Sequence, residues 1–168
     1  HCFNVCTRAK ANLIFLSHSR VYPISLIEPA NYIEEATRFS FSDEPALAGI
    51  SSKGVSEQLS LDAARSFYGT TKLAGELLIK EYCEFYNIKA AVTRFGVIAG
   101  PRQMGKTDQG VVTLWMARHF WKKSLSYIGY GGTGKQVRDI LHIEDLVALV
   151  DMQVHQIDRF NGHVFNAG

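Results

Sequence analysis

The stretch Ser66-Phe-Tyr-Gly-Thr-Thr-Lys-Leu-Ala-Gly-Glu76 opens a segment of helical character that runs to Tyr86. Within it Tyr68 and Lys72 are four positions apart, which places a phenol and an ammonium on one face of a helix. A fixed cation beside a phenol favours the phenolate, and a phenolate can act as a base. The same spacing also arises by chance on a helix whose lysine is solvated, so the pair alone does not decide the function.

The helix predicted for this segment begins at a cap on Asp62 or Ser66 and ends at Asn87. Gly75 would let a neighbouring element approach the helix closely. The apolar side chains predicted to form its buried stripe are Ala74, Leu77, Leu78, Tyr82 and Phe85.

Helices and strands are predicted to alternate on both sides of this segment. The predicted helices are 1–10, 110–122 and 143–156, and the predicted strands are 12–17, 89–95, 124–128 and 163–168. Residues 21–61 contain three prolines without a sustained period and are expected to be a long irregular excursion, and 96–101 a loop. This alternation favours an α/β fold, a parallel sheet with crossover helices.

Composition excludes several classes of protein. The 168 residues are 46% hydrophobic and 20% charged, as in globular domains. The 18 basic and 16 acidic residues are scattered, so no nucleic-acid or anionic-membrane partner is expected. Cys2, Cys6 and Cys83 show no metal-ligand spacing and are expected to be free thiols in a reducing compartment. With no membrane span or leader pattern in the sequence, a soluble cytoplasmic protein is expected, without a metal.

Two glycine runs resemble phosphate-binding loops. Gly100-Pro-Arg-Gln-Met-Gly-Lys-Thr107 fits G-x-x-x-x-G-K-[ST], and in a P-loop NTPase Lys106 would hold phosphates while Thr107 reaches magnesium. Asp108 follows directly, however, and a carboxylate in the first turn of the next helix repels an anion. Gly129-Tyr-Gly-Gly-Thr-Gly-Lys135 leads into residues typical of strand or loop, so a turn is expected there.

Five stretches carry a resemblance to a known family. They are Ser17-His-Ser-Arg-Val-Tyr22, Gly49-Ile-Ser-Ser-Lys-Gly-Val-Ser-Glu57, Ser66-Phe-Tyr-Gly-Thr-Thr-Lys72, Gly100-Pro-Arg-Gln-Met-Gly-Lys-Thr-Asp-Gln-Gly110 and Gly134-Lys-Gln-Val-Arg-Asp-Ile-Leu-His-Ile-Glu-Asp145. In this order they resemble the NAD-dependent epimerase/dehydratase family of extended short-chain dehydrogenases, most closely the branch of CDP-paratose and CDP-tyvelose 2-epimerases. The resemblance implies one partial Rossmann-like domain over 1–168, with 95–141 contributing substrate-side loops.

The resemblance implies an isomerase that uses NAD and a CDP-sugar and works through a keto-sugar intermediate. Tyr68 would take the proton from a sugar hydroxyl, and Lys72 would stabilise its phenolate and hydrogen-bond the nicotinamide ribose. Ser17, at the end of the first strand, is expected to contact the cofactor. The family places Ser or Thr at the position of His18, so His18 is the expected catalytic replacement for that hydroxyl.

Substrate contacts are implied for three further side chains. Arg138 matches a position that can reach the sugar-nucleotide diphosphate, with a structural ion pair to Asp139 or Asp145 as the alternative. Gln103 and Gln109 lie on a loop that would line the sugar-nucleotide pocket.

The sequence given lacks the family's first βαβαβ half, with its glycine-rich turn. We therefore expect an incomplete or impaired enzyme, and a homodimer as its assembly. Two alternatives stay open: a non-catalytic truncated remnant that dimerises over an exposed sheet edge or binds a nucleotide, and the P-loop NTPase described above.

Overall fold

The structure of the protein is a computed structural model that describes residues 1–42, 47–106 and 110–168. The elements are, in chain order, α1 (Cys2–Ala9), β1 (Leu13–His18), α2 (Ile24–Ile27), β2 (Tyr32–Glu34), β3 (Phe39–Phe41), β4 (Ile50–Ser51), β5 (Gly54–Val55), α3 (Phe67–Tyr86), β6 (Ala90–Phe95), β7 (Val97–Ala99), α4 (Val111–Phe120), β8 (Ile140–His142), α5 (Ile143–His155), α6 (Ile157–Phe160) and β9 (Val164–Ala167). Within the described residues no helix combines the length and the apolar character that crossing a membrane requires.

A three-stranded parallel sheet in the order β1-β6-β9 forms the centre of the fold. Ser17 lies opposite Arg94 and His18 opposite Phe95, so the carboxyl ends of β1 and β6 meet at one end of the sheet. β7 continues the chain beyond β6 and pairs in parallel with β8, where a loop had been predicted. The predicted parallel α/β architecture with crossover helices is confirmed.

Helix α3 covers one face of the sheet. Its buried Ile79 packs against Ala90 and Val92 of β6. Phe15 of β1 lies directly over Gly75, where an added Cβ would stand 2.7 Å from the ring. Gly75 therefore allows the close approach that the sequence predicts.

Helix α5 covers the opposite face. Thr93 and Arg94 are neighbours on β6, so their side chains point to opposite faces of the sheet. Arg94 reaches Glu76 of α3, whereas Thr93 accepts a hydrogen bond of 2.8 Å from Nε2 of Gln153 in the middle of α5. The central sheet is thus sandwiched between helices, as crossover connections require.

The buried stripe predicted for α3 is wrong. Leu77 and Leu78 are about half exposed, and Phe85 is 74% exposed. The buried positions of α3 include Glu76, which is not part of the predicted apolar stripe. Its carboxylate can face the sheet because Arg94 neutralises it there, so the charge pair sets the orientation of the helix together with the apolar packing of Ile79.

The ends of α3 follow the sequence closely. Of the two predicted caps, Ser66 is the one used: its Oγ accepts a hydrogen bond of 3.1 Å from the backbone N–H of Gly69. At the other end Asn87 adopts the left-handed conformation, with φ of 53°. The structure thus confirms the predicted limits of this helix.

Residues 21–61 are more ordered than the predicted irregular excursion. The described part contains the short helix α2 and two small antiparallel pairs, β2–β3 and β4–β5. Its buried apolar side chains form a second core, made of Val21, Tyr22, Ala30, Ile50 and Leu59. Conversely, the strand predicted at 124–128 is absent, and Ile128 is 84% exposed because no neighbouring strand covers it.

Candidate functional site

The first turn of α3 packs against the turn that follows β1. Gly69 makes this possible, because a Cβ at that position would lie 2.0 Å from the backbone oxygen of Arg20. The contact places Tyr68 beside His18, with ring centroids 5.5 Å apart and planes at 83°. Two predicted catalytic side chains therefore meet at the carboxyl end of β1.

Lys72 joins the same group. Its Nζ donates a hydrogen bond of 3.0 Å to the backbone oxygen of Leu16 and lies 5.9 Å from the centroid of the Tyr68 ring. Tyr68 is 47% exposed, so its phenol is open to a ligand. The ammonium of Lys72 is thus held by the strand beside the ring of Tyr68, whose phenol is accessible to a ligand.

His18 is held as a neutral imidazole. Its Nδ1 accepts a hydrogen bond of 3.0 Å from the backbone N–H of Arg20, which leaves the ring proton on Nε2. Burial, followed by the positive charges of Arg20 and Lys72, lowers the pKa of His18 below its ordinary value of 6.5. Near neutral pH the ring can therefore donate one hydrogen bond from Nε2.

Ser17 does not take part in this group through its side chain. The residue is fully buried, and its hydroxyl donates to Oε1 of Glu76 beneath α3. Side chains alternate along a strand, so Ser17 and His18 point to different sides of β1. The Ser17 hydroxyl is therefore engaged by Glu76, and the expected contact of Ser17 with a cofactor stays a prediction.

A buried ion pair lies below the group, and sequence reasoning missed it. The guanidinium of Arg94 contacts the Glu76 carboxylate at 2.6 Å, and the two side chains are 5% and 2% exposed. Burial by itself would lower the pKa of Arg94, but the hydrogen bonds to Glu76 and Tyr22 raise it above its ordinary value. The spacing of Glu76 four residues after Lys72 was the available signal, since it places both on one helix face.

The buried pair continues toward the second core. Arg94 Nη1 donates a hydrogen bond of 3.0 Å to the hydroxyl oxygen of Tyr22, and that hydroxyl donates to Asn166 Oδ1 at 2.8 Å. The Asn166 amide in turn donates to the backbone oxygen of Val55 at 3.1 Å. This chain of hydrogen bonds docks β5 onto the carboxyl end of β9. No motif in the sequence predicts it.

Arg138 lies at the same end of the sheet. The next residue, Asp139, accepts a hydrogen bond of 3.0 Å from the backbone N–H of Val97 and packs against Gly96, directly after β6. Arg138 is exposed, and among the described carboxylates it makes no ion pair with Asp139 or Asp145. Its guanidinium is therefore available for an anionic ligand.

The two predicted glutamines differ. Gln103 is engaged inside its own loop, because its Nε2 donates to the backbone oxygen of Ile98 at 2.9 Å and its Oε1 accepts from Thr113 at 3.3 Å. It anchors the loop to α4, and a substrate contact from it stays a prediction. Gln109 lies outside the described residues.

Among the described residues neither glycine run forms a phosphate loop. The helix after Gly100 begins only at Val111, whereas a phosphate loop leads into its helix at the lysine, here the exposed Lys106. The second run has the spacing of a dinucleotide turn, but it ends near β8 rather than at a helix. Lys135 in that run is paired with Glu34 at 2.8 Å. The run is the predicted turn.

The described side chains fit one end of NAD. Tyr68 and Lys72 offer a hydroxyl and an ammonium beside the outer edge of β1, which suits the hydroxyl groups of the nicotinamide ribose. For the pyrophosphate, no strand–glycine turn–helix unit is found among the described residues. The fit therefore covers the nicotinamide end alone.

Comparison with known proteins identifies related sequences over nearly the whole chain. The model of the NAD-dependent epimerase/dehydratase family matches residues 3–168. CDP-paratose 2-epimerase of Salmonella typhi is 30% identical over 167 residues, which cover 95% of this chain and 45% of that protein. An uncharacterized UDP-glucose epimerase of Bacillus subtilis is 32% identical over 137 residues, covering 78% of this chain and 41% of the relative.

Solved structures share the fold. UDP-glucuronic acid 4-epimerase from Bacillus cereus, in complex with UDP-glucuronic acid and NAD, is 26% identical with a TM-score of 0.67, covering 99% of this chain and 43% of that one. A UDP-N-acetylglucosamine 4-epimerase from Methanobrevibacter ruminantium, at 21% identity, also has a TM-score of 0.67. The chain spans less than half the length of these relatives.

Proposed function

Because this chain belongs to the NAD-dependent epimerase/dehydratase family, we propose that it forms the catalytic and substrate-side part of a sugar-nucleotide epimerase. NAD is the cofactor of the family, and the Rossmann-like fold is shared with its solved members. The finer proposal is 2-epimerisation of a CDP-sugar through a keto intermediate. The similarity to CDP-paratose 2-epimerase supports that substrate class.

In the proposed reaction Tyr68 is the acid and base. Its exposed phenolate accepts the proton of a sugar hydroxyl and later returns it, and Lys72 stabilises the phenolate charge from one turn away. His18 donates its Nε2 proton in a hydrogen bond to the same sugar oxygen, in the role of the hydroxyl that it replaces. NAD, when bound, supplies the hydride acceptor and donor.

Arg138 is proposed to bind the diphosphate of the sugar nucleotide. The side chain is exposed at the carboxyl end of the sheet and forms no ion pair with the described carboxylates. A guanidinium can form two parallel hydrogen bonds to a phosphate, which also fixes the orientation of the ligand. The sugar would then lie between Arg138 and Tyr68.

The observation that carries the proposal is the meeting of Tyr68, Lys72 and His18 at one strand end. The test is epimerisation of a CDP-sugar by the chain combined with a dinucleotide-binding half from a relative, followed by proton NMR. Tyr68→Phe should abolish turnover without unfolding the protein. Tyr86→Phe, on the same helix and 57% exposed, is the matched control and should be fully active. Turnover retained in Tyr68→Phe would remove the assignment.

We also propose that the protein forms a homodimer through the outward face of α3. The exposed apolar side chains Leu77, Leu78 and Phe85 lie on that face. Exposed apolar surface of this kind is characteristic of an interaction site. In the reducing cytoplasm, the location we propose, the three cysteines would stay the free thiols seen here.

A second candidate function is ligand binding without turnover. It is favoured by the outer edge of β1, which has no partner strand among the described residues, and by the imidazole that replaces a family hydroxyl. Calorimetry of the chain with a CDP-sugar separates the two functions. Binding without epimerisation in the completed protein would support the second, whereas turnover would exclude it.

A further inference from the structure

Two consecutive residues of β1 hold two consecutive turns of α3. The backbone oxygen of Leu16 accepts a hydrogen bond from Lys72 at 3.0 Å, and the hydroxyl of Ser17 donates to Glu76 at 2.5 Å. Lys72 and Glu76 are one helical turn apart on the same face. β1 therefore forms hydrogen bonds with α3 at two adjacent points. The one at Lys72 lies in the candidate site, and the one at Glu76 lies beneath it.

At Glu76 three donor atoms, Ser17 Oγ and Arg94 Nε and Nη2, bind one carboxylate, and we call this arrangement the clamp. Arg94 donates to Glu76 from Nε at 3.1 Å and from Nη2 at 2.6 Å, in the forked geometry of a guanidinium. Ser17 and Arg94 lie opposite each other in adjacent strands, so both donors reach the carboxylate from the sheet. A buried charge needs all of its partners, and only one rotation of α3 about its axis provides them.

That rotation also decides where the exposed side chains of the first turns point. Ile79 packs inward beside Glu76, but α3 carries leucine and phenylalanine on its outward face as well, so apolar packing alone does not determine the rotation. If Glu76 lost these contacts, α3 could rotate about its axis so that those apolar residues turn toward the sheet. Lys72 would then move away from the Leu16 oxygen, and Tyr68 from His18.

We propose that Glu76 is a positioning residue for the catalytic pair, acting through Ser17 and Arg94; this rests on the proposed function of Tyr68 and Lys72. It does not touch the ligand, since it is buried beneath the helix. Its role is to set the rotation of α3, so that Lys72 stays on the Leu16 oxygen and presents its charge to Tyr68.

The test measures the rate at which trace acetic anhydride acylates Lys72 in the chain itself. Peptide mass spectrometry reads out the extent of labelling. In Glu76→Gln the clamp loses its charge, and the acylation rate of Lys72 should rise severalfold relative to Lys80, which is exposed on the same helix. Ser17→Ala removes one donor only and should give a smaller rise. It also keeps the proposal testable where Glu76→Gln does not fold.

The matched control is Thr93→Val, which leaves the buried amide of Gln153 without its partner on the opposite face of the sheet. It should lower the melting temperature and leave the Lys72 rate unchanged. An unchanged Lys72 rate in folded Glu76→Gln and Ser17→Ala would overturn the proposal and make the clamp merely structural. The labelling needs neither NAD nor substrate, so a wild-type protein without epimerase activity would count against the proposed function and not against this result.

Discussion

The ring of His18 stands edge-on to the ring of Tyr68, with their centroids 5.5 Å apart. The imidazole is neutral because burial, Arg20 and Lys72 lower its pKa below 6.5. A histidine whose pKa is lower in the folded state binds fewer protons folded than unfolded near that pH. Its contribution to stability is therefore complete above about pH 6.5 and is lost as the pH falls through the lowered folded value.

We expect His18→Ser to weaken the dependence of stability on pH. Serine keeps a side-chain oxygen that can accept from the Arg20 N–H, so the turn after β1 should persist. Thermal melts of both proteins at about pH 5 and about pH 8 check the sign. The wild type should lose more stability toward the acid side than the variant, and equal slopes would contradict the neutral imidazole.

Gly69→Ala should destabilise the protein by more than about 2 kcal/mol. The new methyl would lie 2.0 Å from the backbone oxygen of Arg20, which cannot move without shifting the turn that carries His18. Gly75→Ala is the control, because its methyl meets the Phe15 ring, a side chain that can shift. Both substitutions gain about 1 kcal/mol of helix propensity. The difference between their free energies of unfolding in urea therefore measures the cost of the clash at Gly69. Equal losses would contradict this account.

Breaking the buried pair should cost far more than removing its neighbour. Arg94→Met leaves the Glu76 carboxylate buried without its counter-charge, and we expect a loss of about 3–5 kcal/mol in the free energy of unfolding. Tyr22→Phe removes one hydroxyl from the same chain of hydrogen bonds and should cost about 1–2 kcal/mol. Chemical denaturation measures both, and the reverse ranking would contradict the central place of the pair.

The proposed dimer makes a direct prediction for α3. Leu78→Lys places a charge in the exposed apolar face and should shift sedimentation velocity from dimer to monomer without lowering the melting temperature. Val147→Lys, the same kind of change at an exposed valine of α5, should leave the dimer intact. A wild-type protein that sediments as a monomer would exclude this interface.

Arg138→Ala should weaken binding of a CDP-sugar by about 1.5–3 kcal/mol, the usual contribution of a hydrogen bond to a charged group. Arg138→Lys keeps the charge without the fork and should recover part of the affinity. Arg159→Ala, an exposed arginine on α6 before the amino end of β9, serves as the control for calorimetry. Equal affinity of Arg138→Ala and the wild type would exclude the diphosphate role.

Much of the fold was predictable because local signals decide it. The Ser66 cap, the left-handed Asn87 and the close approach at Gly75 each depend on one residue's own chemistry, and each is confirmed. The family resemblance and its cofactor, NAD, are confirmed as well. The geometry of Tyr68 and Lys72 was predictable from helical spacing, whereas their catalytic roles stay predictions.

The structural features that could not be predicted from the sequence depend on contacts between distant parts of the chain. The inward face of α3 could not be predicted from hydrophobicity, because the partner that makes Glu76 tolerable lies on β6. The hydroxyl of Ser17 is bound to Glu76, and nothing near Ser17 in the sequence indicates that contact. The order within 21–61 likewise arises from a core that only tertiary packing assembles.

The order of these contacts along the chain bears on how the protein is made. Ser17, Glu76 and Arg94 are all synthesised before α4, so a nascent chain can close the clamp and set the rotation of α3 early. Asn166, which docks β5 through Val55, leaves the ribosome last among these residues. A nascent chain can therefore bring Tyr68 and Lys72 to the end of β1 before Asn166 docks β5 onto β9.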